Sequence, residues 1–163
     1  MDCSHIRFCD SSISADGDCQ YPLDLDQLQE LFQIAAFWAQ NRNHDDLKTA
    51  LVNSTPIISV WDREKLIGFA RATSDGIYRA TIWDVVIHPD YRGMGLGSRL
   101  VETILSHPRM NRVERVYLMT THQQRFYEKI GFESNSSVTM VLCQPTLDSL
   151  PAQEVQLQES PGG

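Results

Sequence analysis

The sequence has no run of lysine or arginine to match a polyanion. Its 14 basic residues are outnumbered by 21 acidic ones, for a net charge of -7, and the two signs are interspersed. That argues against nucleic acid or an anionic membrane as partner, and it weakly favours a cationic substrate such as an amine. Also missing is any apolar window near the ~18 residues of a membrane span, and the N-terminus lacks the basic-then-apolar pattern of a secretory signal. The protein is therefore expected to stay where it is made. The four cysteines, Cys3, Cys9, Cys19 and Cys143, form no C-x-x-C pair. A zinc site or disulfide framework stays open on that count, but reduced thiols without function are the expectation, and no metal is called for. At 163 residues and 42% hydrophobic, the chain suits one domain with one substantial core.

What is present is organised around Val85-Val86-Ile87-His88-Pro89-Asp90-Tyr91-Arg92-Gly93-Met94-Gly95-Leu96-Gly97-Ser98-Arg99-Leu100. It reads as a β-branched strand, a proline-marked exit, a glycine loop and an amphipathic helix. Glycines at alternate positions let the backbone approach a ligand, and the positive end of the following helix favours an anion, so a phosphate belongs there. A Walker loop would end in Gly-Lys-Ser/Thr, whereas Gly97 is followed by Ser98-Arg99. A dinucleotide fold would need G-x-G-x-x-G and an acidic residue at the end of the next strand, but that strand, Val113 to Thr121, ends in threonines.

Along the chain, residues 1–20 read as a loose polar leader with a short strand around Ile6 to Phe8. Residues 21–145 read as one domain and residues 146–163 as a disordered tail. Asp24-Leu25-Asp26-Gln27 resembles a capping box, and Leu25, Leu28, Leu31, Phe32, Ala35, Trp38 and Ala39 share a helical face. Asn43 or Asp45 caps a second helix through Leu51. From Pro56 the pattern becomes an antiparallel meander: Ile57 to Trp61, Leu66 to Thr73 and Ile77 to Ile87, with polar turns between. A helix from Gly95 to Ser106 then leads to a parallel strand, Val113 to Thr120, beside the third. A helix from Gln123 to Ile130 closes on Gly131, and Val138 to Cys143 supplies a last strand.

Arg92-x-x-Gly95-x-Gly97, the Val85-Val86-Ile87-His88-Pro89 strand and Phe126-Tyr127-Glu128-Lys129-Ile130-Gly131-Phe132 together resemble the GCN5-related N-acetyltransferase family over roughly residues 20 to 145. The resemblance implies an α+β sandwich: a mostly antiparallel mixed sheet with a splayed parallel strand pair, flanked by helices. It implies acetyl-CoA as co-substrate. Arg92, Gly93, Met94, Gly95, Leu96, Gly97 and Ser98 would take the pyrophosphate, largely through backbone N–H groups. Val85, Val86 and Ile87 would pair with the pantetheine arm where a bulge opens the sheet, and a backbone N–H near Val86 would polarise the thioester carbonyl. The first two helices would cover the acceptor side, with Phe32 and Trp38 as candidate linings, although ordinary core packing is their plainer reading.

Tyr127, four residues before Gly131, falls where the family carries its general acid. A phenol with a pKa near ~10 holds its proton at neutral pH for a forming thiolate. The family's other frequent contact, often Asn, is Thr120 here, where a hydroxyl can still reach the cofactor arm. Asp84 is the first candidate for the base, and His122 and His88 are the alternatives.

Within the superfamily the three segments look most like the cyanobacterial and plastid group, which includes ycf-type acetyltransferases and plant plastid enzymes for serotonin and for protein amines. The acceptor would be an arylalkylamine such as serotonin, or a protein lysine or N-terminal amine. The setting would be a bacterial cytoplasm or a plastid stroma, the leader lacking the arginines of a transit peptide. A homodimer is an option the family leaves open. The competing reading is a non-catalytic acyl-CoA-binding sensor or docking module, against which an intact Tyr127 and Asp84 speak.

Overall fold

The structure, a computed structural model, describes residues 3–14 and 21–145. It divides into two units, residues 1–132 and 133–163. In the first unit, strands β1 (Ile6–Asp10), β2 (Ile57–Asp62), β3 (Lys65–Ser74), β4 (Arg79–Ile87) and β5 (Arg115–Tyr117) make one sheet in sequence order. All neighbours are antiparallel except β4 and β5, which run parallel. Helices α1 (Leu25–Ala35) and α2 (His44–Val52) precede β2, α3 (Leu96–Ser106) links β4 to β5, and α4 (Gln124–Glu128) follows. This is the expected α+β sheet flanked by helices, and the leader's short strand is present as β1. Among the described residues no helix is long and apolar enough to cross a membrane.

Alternation along the strands divides the apolar residues between two cores, one on each face of the sheet. Ile58, Val60, Ala70, Ala72, Ala80 and Ile82 pack with Leu100, Val101 and Ile104 of α3. On the other face Ile57, Leu66, Phe69 and Val86 pack with Leu28, Leu31 and Phe32 of α1 and Leu47 and Leu51 of α2. Phe32 and Phe69 meet edge to face at 5.7 Å.

Local chemistry sets the ends of the elements. The Asp24 carboxylate caps α1 by accepting from the N–H groups of Asp26 and Gln27. Gln27 does not complete the box; its amide accepts from Leu66 N–H and donates to the Glu64 carbonyl, tying α1 to the β2–β3 turn. The periodic run predicted through Ala39 breaks at Ala36, whose extended backbone leads into a single 3-10 turn, Phe37–Ala39. Asn43 is the cap of α2. Gly131 takes the left-handed conformation (φ +113) expected after α4. The Asp10 carboxylate meets His107 Nε2 at 2.8 Å, fastening the edge strand to the end of α3.

Two strand expectations also fail. β5 is only Arg115–Tyr117 rather than Val113 to Thr120, because the chain leaves β4 after Tyr117. In the second unit Val138 to Cys143 forms no strand, and Val138, Met140, Val141 and Leu142 are exposed. A strand is a paired object, and β-branched composition alone supplies no hydrogen-bonding neighbour. The predicted tail and Cys19 lie outside the described residues.

Gly68 sits in β3 between Val60 and Ile87, and a Cβ there would lie 2.8 Å from Ile87 Cδ1 and 3.0 Å from Val60 Cβ. Gly68→Ala should destabilise the protein by about 1–3 kcal/mol through overpacking; chemical denaturation checks this, and unchanged stability would mean that β2 and β4 do not crowd β3 as described.

Candidate active site

β4 is regular only as far as Trp83. Against β3, Arg71 pairs with Trp83 and Phe69 with Val86, so β4 carries one residue more than its partner. Asp84 absorbs it at φ +56, a left-handed conformation that short polar residues tolerate best after glycine. The bulge cancels the alternation, so Trp83 and Asp84 both project to the α1–α2 side. The Trp83 indole N–H donates to Thr73 Oγ1, and the Arg71 guanidinium lies 5.8 Å from the ring centre.

Just ahead of the bulge β4 loses its other neighbour. β5 pairs only with Arg79, Ala80 and Thr81, so among the described residues the edge of β4 from Ile82 to Ile87 is open on that side. His88 N–H donates to the Ile67 carbonyl at 2.7 Å. Alternation then assigns the backbone of Val86 to β3 and turns that of Val85 and Ile87 to the open edge. The Ile87 carbonyl agrees, accepting from Arg92 Nε at 3.3 Å. A donor for a ligand carbonyl, expected near Val86, therefore belongs to one of its neighbours, and the Val86 side chain is buried in the α1 core.

The glycine loop follows at once. Gly93 (φ +77) and Gly95 (φ +75) are left-handed, and a Cβ at either would meet nothing within 4 Å. Gly95 is the N-cap of α3, and no side chain caps that helix. The N–H groups of its first turn thus lack intrahelical acceptors at the positive end of the dipole. Open space, bare N–H groups and exposed Arg92 fit a pyrophosphate. Gly97 differs from the other two: it is inside the helix, and a Cβ there would stand 3.2 Å from Phe126 Cζ. Its missing side chain permits α3 to pack on α4, and it offers a ligand only its first-turn N–H. Leu96 is buried and Met94 packs on the same core, so these two offer a ligand backbone only. Ser98 is half-buried in the first turn. The loop is moored by Tyr91, whose hydroxyl donates to Asp62 Oδ2 at 2.6 Å while Lys65 lies 5.7 Å over its ring.

Tyr127 packs between Phe126 (4.9 Å) and Phe132 (5.9 Å). Its hydroxyl has no hydrogen-bond partner among the described residues, and burial raises the phenol above its ordinary value. It is protonated at neutral pH. The Thr120 hydroxyl accepts from Gln123 N–H at 3.1 Å, at the start of α4; its own proton stays available.

Asp84 is not a bare carboxylate. Its Oδ2 accepts from Arg42 Nη1 at 2.7 Å and Arg71 Nε at 2.8 Å, and among the described residues its Oδ1 meets only Trp38 Nε1, at 3.4 Å. Burial alone would raise its pKa, but the hydrogen bonds and charges of the two arginines outweigh burial and hold it below the ordinary carboxylate range. It is anionic at neutral pH, a strong cation partner and a weak proton acceptor. Beside it lies a cavity of about 290 Å³ between α1, α2 and the sheet. Trp38 is half-exposed beside Asp84, while Phe32 is core that also lines the cavity.

Of the alternative bases, His88 accepts Asp90 N–H on Nδ1, and burial and nearby Lys65 depress its pKa. His122 is exposed. Neither histidine hydrogen-bonds to Asp84 or Tyr127. Sequence reasoning missed Arg42 and Arg71. Arg71 was discoverable: it falls between Phe69 and Thr73 at a position alternation turns inward, where an arginine needs an anion. Arg42, in a polar turn, gave no such signal.

The profile of the Acetyltransferase (GNAT) family matches residues 21–132. The chain is 37% identical over 135 residues to the protein named uncharacterized N-acetyltransferase ycf52 of Pyropia yezoensis, spanning 80% of this chain and 74% of that one. It is 44% identical over 73 residues to GCN5-related N-acetyltransferase 2, chloroplastic, of Arabidopsis thaliana, spanning 44% of this chain and 28% of that one. Among solved structures, the GNAT family protein SP0256 from Streptococcus pneumoniae TIGR4 has the same fold, with a TM-score of 0.67 at 22% identity over 86% of this chain and 99% of that one.

The left-handed backbone and open space at Gly95 give a direct check. Gly95→Val should weaken acetyl-CoA binding at least tenfold, about 1.4 kcal/mol, measured by calorimetry on variant that still melts cooperatively; undiminished affinity would remove the loop from the cofactor site.

Proposed function

We propose that this chain, which belongs to the acetyltransferase (GNAT) family, transfers an acetyl group from acetyl-coenzyme A to the primary amine of a small molecule by direct attack on the thioester. The observation that carries the reading is the conjunction at β4: an open strand edge beside the Asp84 bulge, leading on into left-handed glycines at an uncapped helix N-terminus. An extended amide-bearing arm can add to such an edge as a further strand, and a pyrophosphate can end on the loop.

The chemistry assigned to the chain's own groups is modest. Backbone N–H at Val85 or Ile87 polarises the thioester carbonyl. The unprotonated amine attacks the carbonyl carbon, the C–S bond breaks, and the Tyr127 phenol gives its proton to the departing sulfur. The phenolate then takes the proton shed by the new amide nitrogen, so the net movement is one proton from nitrogen to sulfur. Asp84 acts in this scheme as a fixed negative charge that attracts and orients the amine.

A cavity of about 290 Å³ beside Asp84 supports a small acceptor, such as an arylalkylamine like serotonin, over a protein lysine or N-terminus. Likeness to a chloroplastic relative supports a plastid stroma as the setting. A non-catalytic acyl-CoA sensor is the competing reading, and the free Tyr127 hydroxyl counts against it.

Thiol release from acetyl-CoA, with serotonin or tryptamine in one reaction and lysine-containing peptides in another, tests the reading. Small amines should be acetylated and peptides poorly so, and Tyr127→Phe should lower kcat about 100-fold with acetyl-CoA affinity retained. Unchanged turnover in that variant would remove Tyr127 from the mechanism, and binding without release for any amine would favour the sensor.

A further inference from the structure

The cavity beside Asp84 is lined by two arginines, Arg42 and Arg71, and by two carboxylates, Asp84 and Asp46. We propose that it holds the head group of a free α-amino acid, the carboxylate on Arg42 and Arg71 and the amine on Asp84, so that the acceptor is an apolar amino acid rather than a plain alkylamine. The proposal rests on the acetyltransferase reading and narrows its substrate class.

Both guanidinium groups share one oxygen of Asp84, whose side chain is 5% exposed. Arg71 gives Nη1 to Ser54 Oγ at 3.1 Å, but its Nη2, and the Nε and Nη2 of Arg42, have no hydrogen-bond partner among the described residues. The second carboxylate does not balance them. Asp46 is exposed at the start of α2, where it accepts from Asn43 Nδ2 at 2.8 Å. The inner end of the cavity thus carries two cations against one buried anion, with planar donors to spare, which suits a second carboxylate. Each guanidinium also lies over an aromatic ring, Arg42 at 5.5 Å from the centre of Phe32 and Arg71 at 5.8 Å from that of Trp83.

Asp84 Oδ1, with only the long contact to Trp38, can still accept from an ammonium or amine. Because this oxygen and the arginine-bound one belong to the same carboxylate, an acceptor that satisfies both partners must carry its amine and its carboxylate close together. An α-amino acid does so. The remaining walls, formed by Phe32, Leu47, Ala50, Leu51 and Phe69, are apolar and would face its side chain. Asp84 immediately precedes Val85 on β4, so an amine held there stands next to the backbone assigned to the thioester. An amine without a carboxylate would leave the spare guanidinium donors unmatched, and a site built around such groups discriminates against the analogue that lacks the partner.

Matched acceptors differing only by the carboxylate decide the matter on the unaltered protein: L-phenylalanine against phenethylamine, and L-leucine against isoamylamine. The amino acid of each pair should show kcat/KM for thiol release at least tenfold above its amine. Arg42→Gln should bring that ratio towards one, a change that a merely structural role, weakening both acceptors alike, would not produce. Equal or better use of the amines, or a ratio that Arg42→Gln leaves unmoved, overturns the proposal. If amines or peptides are acetylated and amino acids are not, the proposal falls while the acetyltransferase reading stands; if no acceptor of any class releases thiol, both fall.

Discussion

The extra residue that β4 carries opposite β3 sits where the geometry changes on both sides of the strand. On the α1–α2 side it brings Trp83 and Asp84 to the same face and drives a carboxylate into the protein, where only Arg42 and Arg71 make its burial tolerable. On the other side β5 parts from β4 after Thr81, and the backbone of Val85 and Ile87 is left without a partner strand among the described residues. The buried carboxylate and the open edge at Val85 thus lie a single residue apart on β4.

The rest of the fold serves to hold that irregularity. The Asp84 backbone is left-handed and its side chain charged, and neither would persist on a strand free to straighten. Gly68 lets β2 and β4 close tightly on β3 just past the bulge, and the Phe32–Phe69 contact presses α1 onto the same strand. At the far end of β4, the Tyr91–Asp62 hydrogen bond moors the glycine loop to the β2–β3 turn, so the loop is positioned by the sheet rather than by its own flexible backbone.

Much of this was legible in the sequence because it depends on local chemistry. The caps Asp24 and Asn43, the left-handed Gly93, Gly95 and Gly131, and the β-branched strands are all signalled by residues within a few positions of where they act. What was not legible depends on pairing across distance. Val138 to Cys143 has strand composition but no ladder, and β5 stops where the parallel pair diverges, which no residue in Leu118 to Thr120 announces. Gly97 read as a third ligand-facing glycine and proves to be the place where Phe126 packs on α3. Asp84 was identifiable as a site residue, but its role changes once two arginines, 42 and 13 positions away, are found on it.

Backbone hydrogen exchange at β4, with and without acetyl-CoA, tests the central claim most directly. The Val86 amide, bonded to β3, should be protected in both states, whereas the Val85 and Ile87 amides should exchange quickly alone and slow at least tenfold when acetyl-CoA is bound. Protection of Val85 and Ile87 already present without ligand, or unchanged by it, would contradict the account of β4 as an opened edge that a cofactor completes.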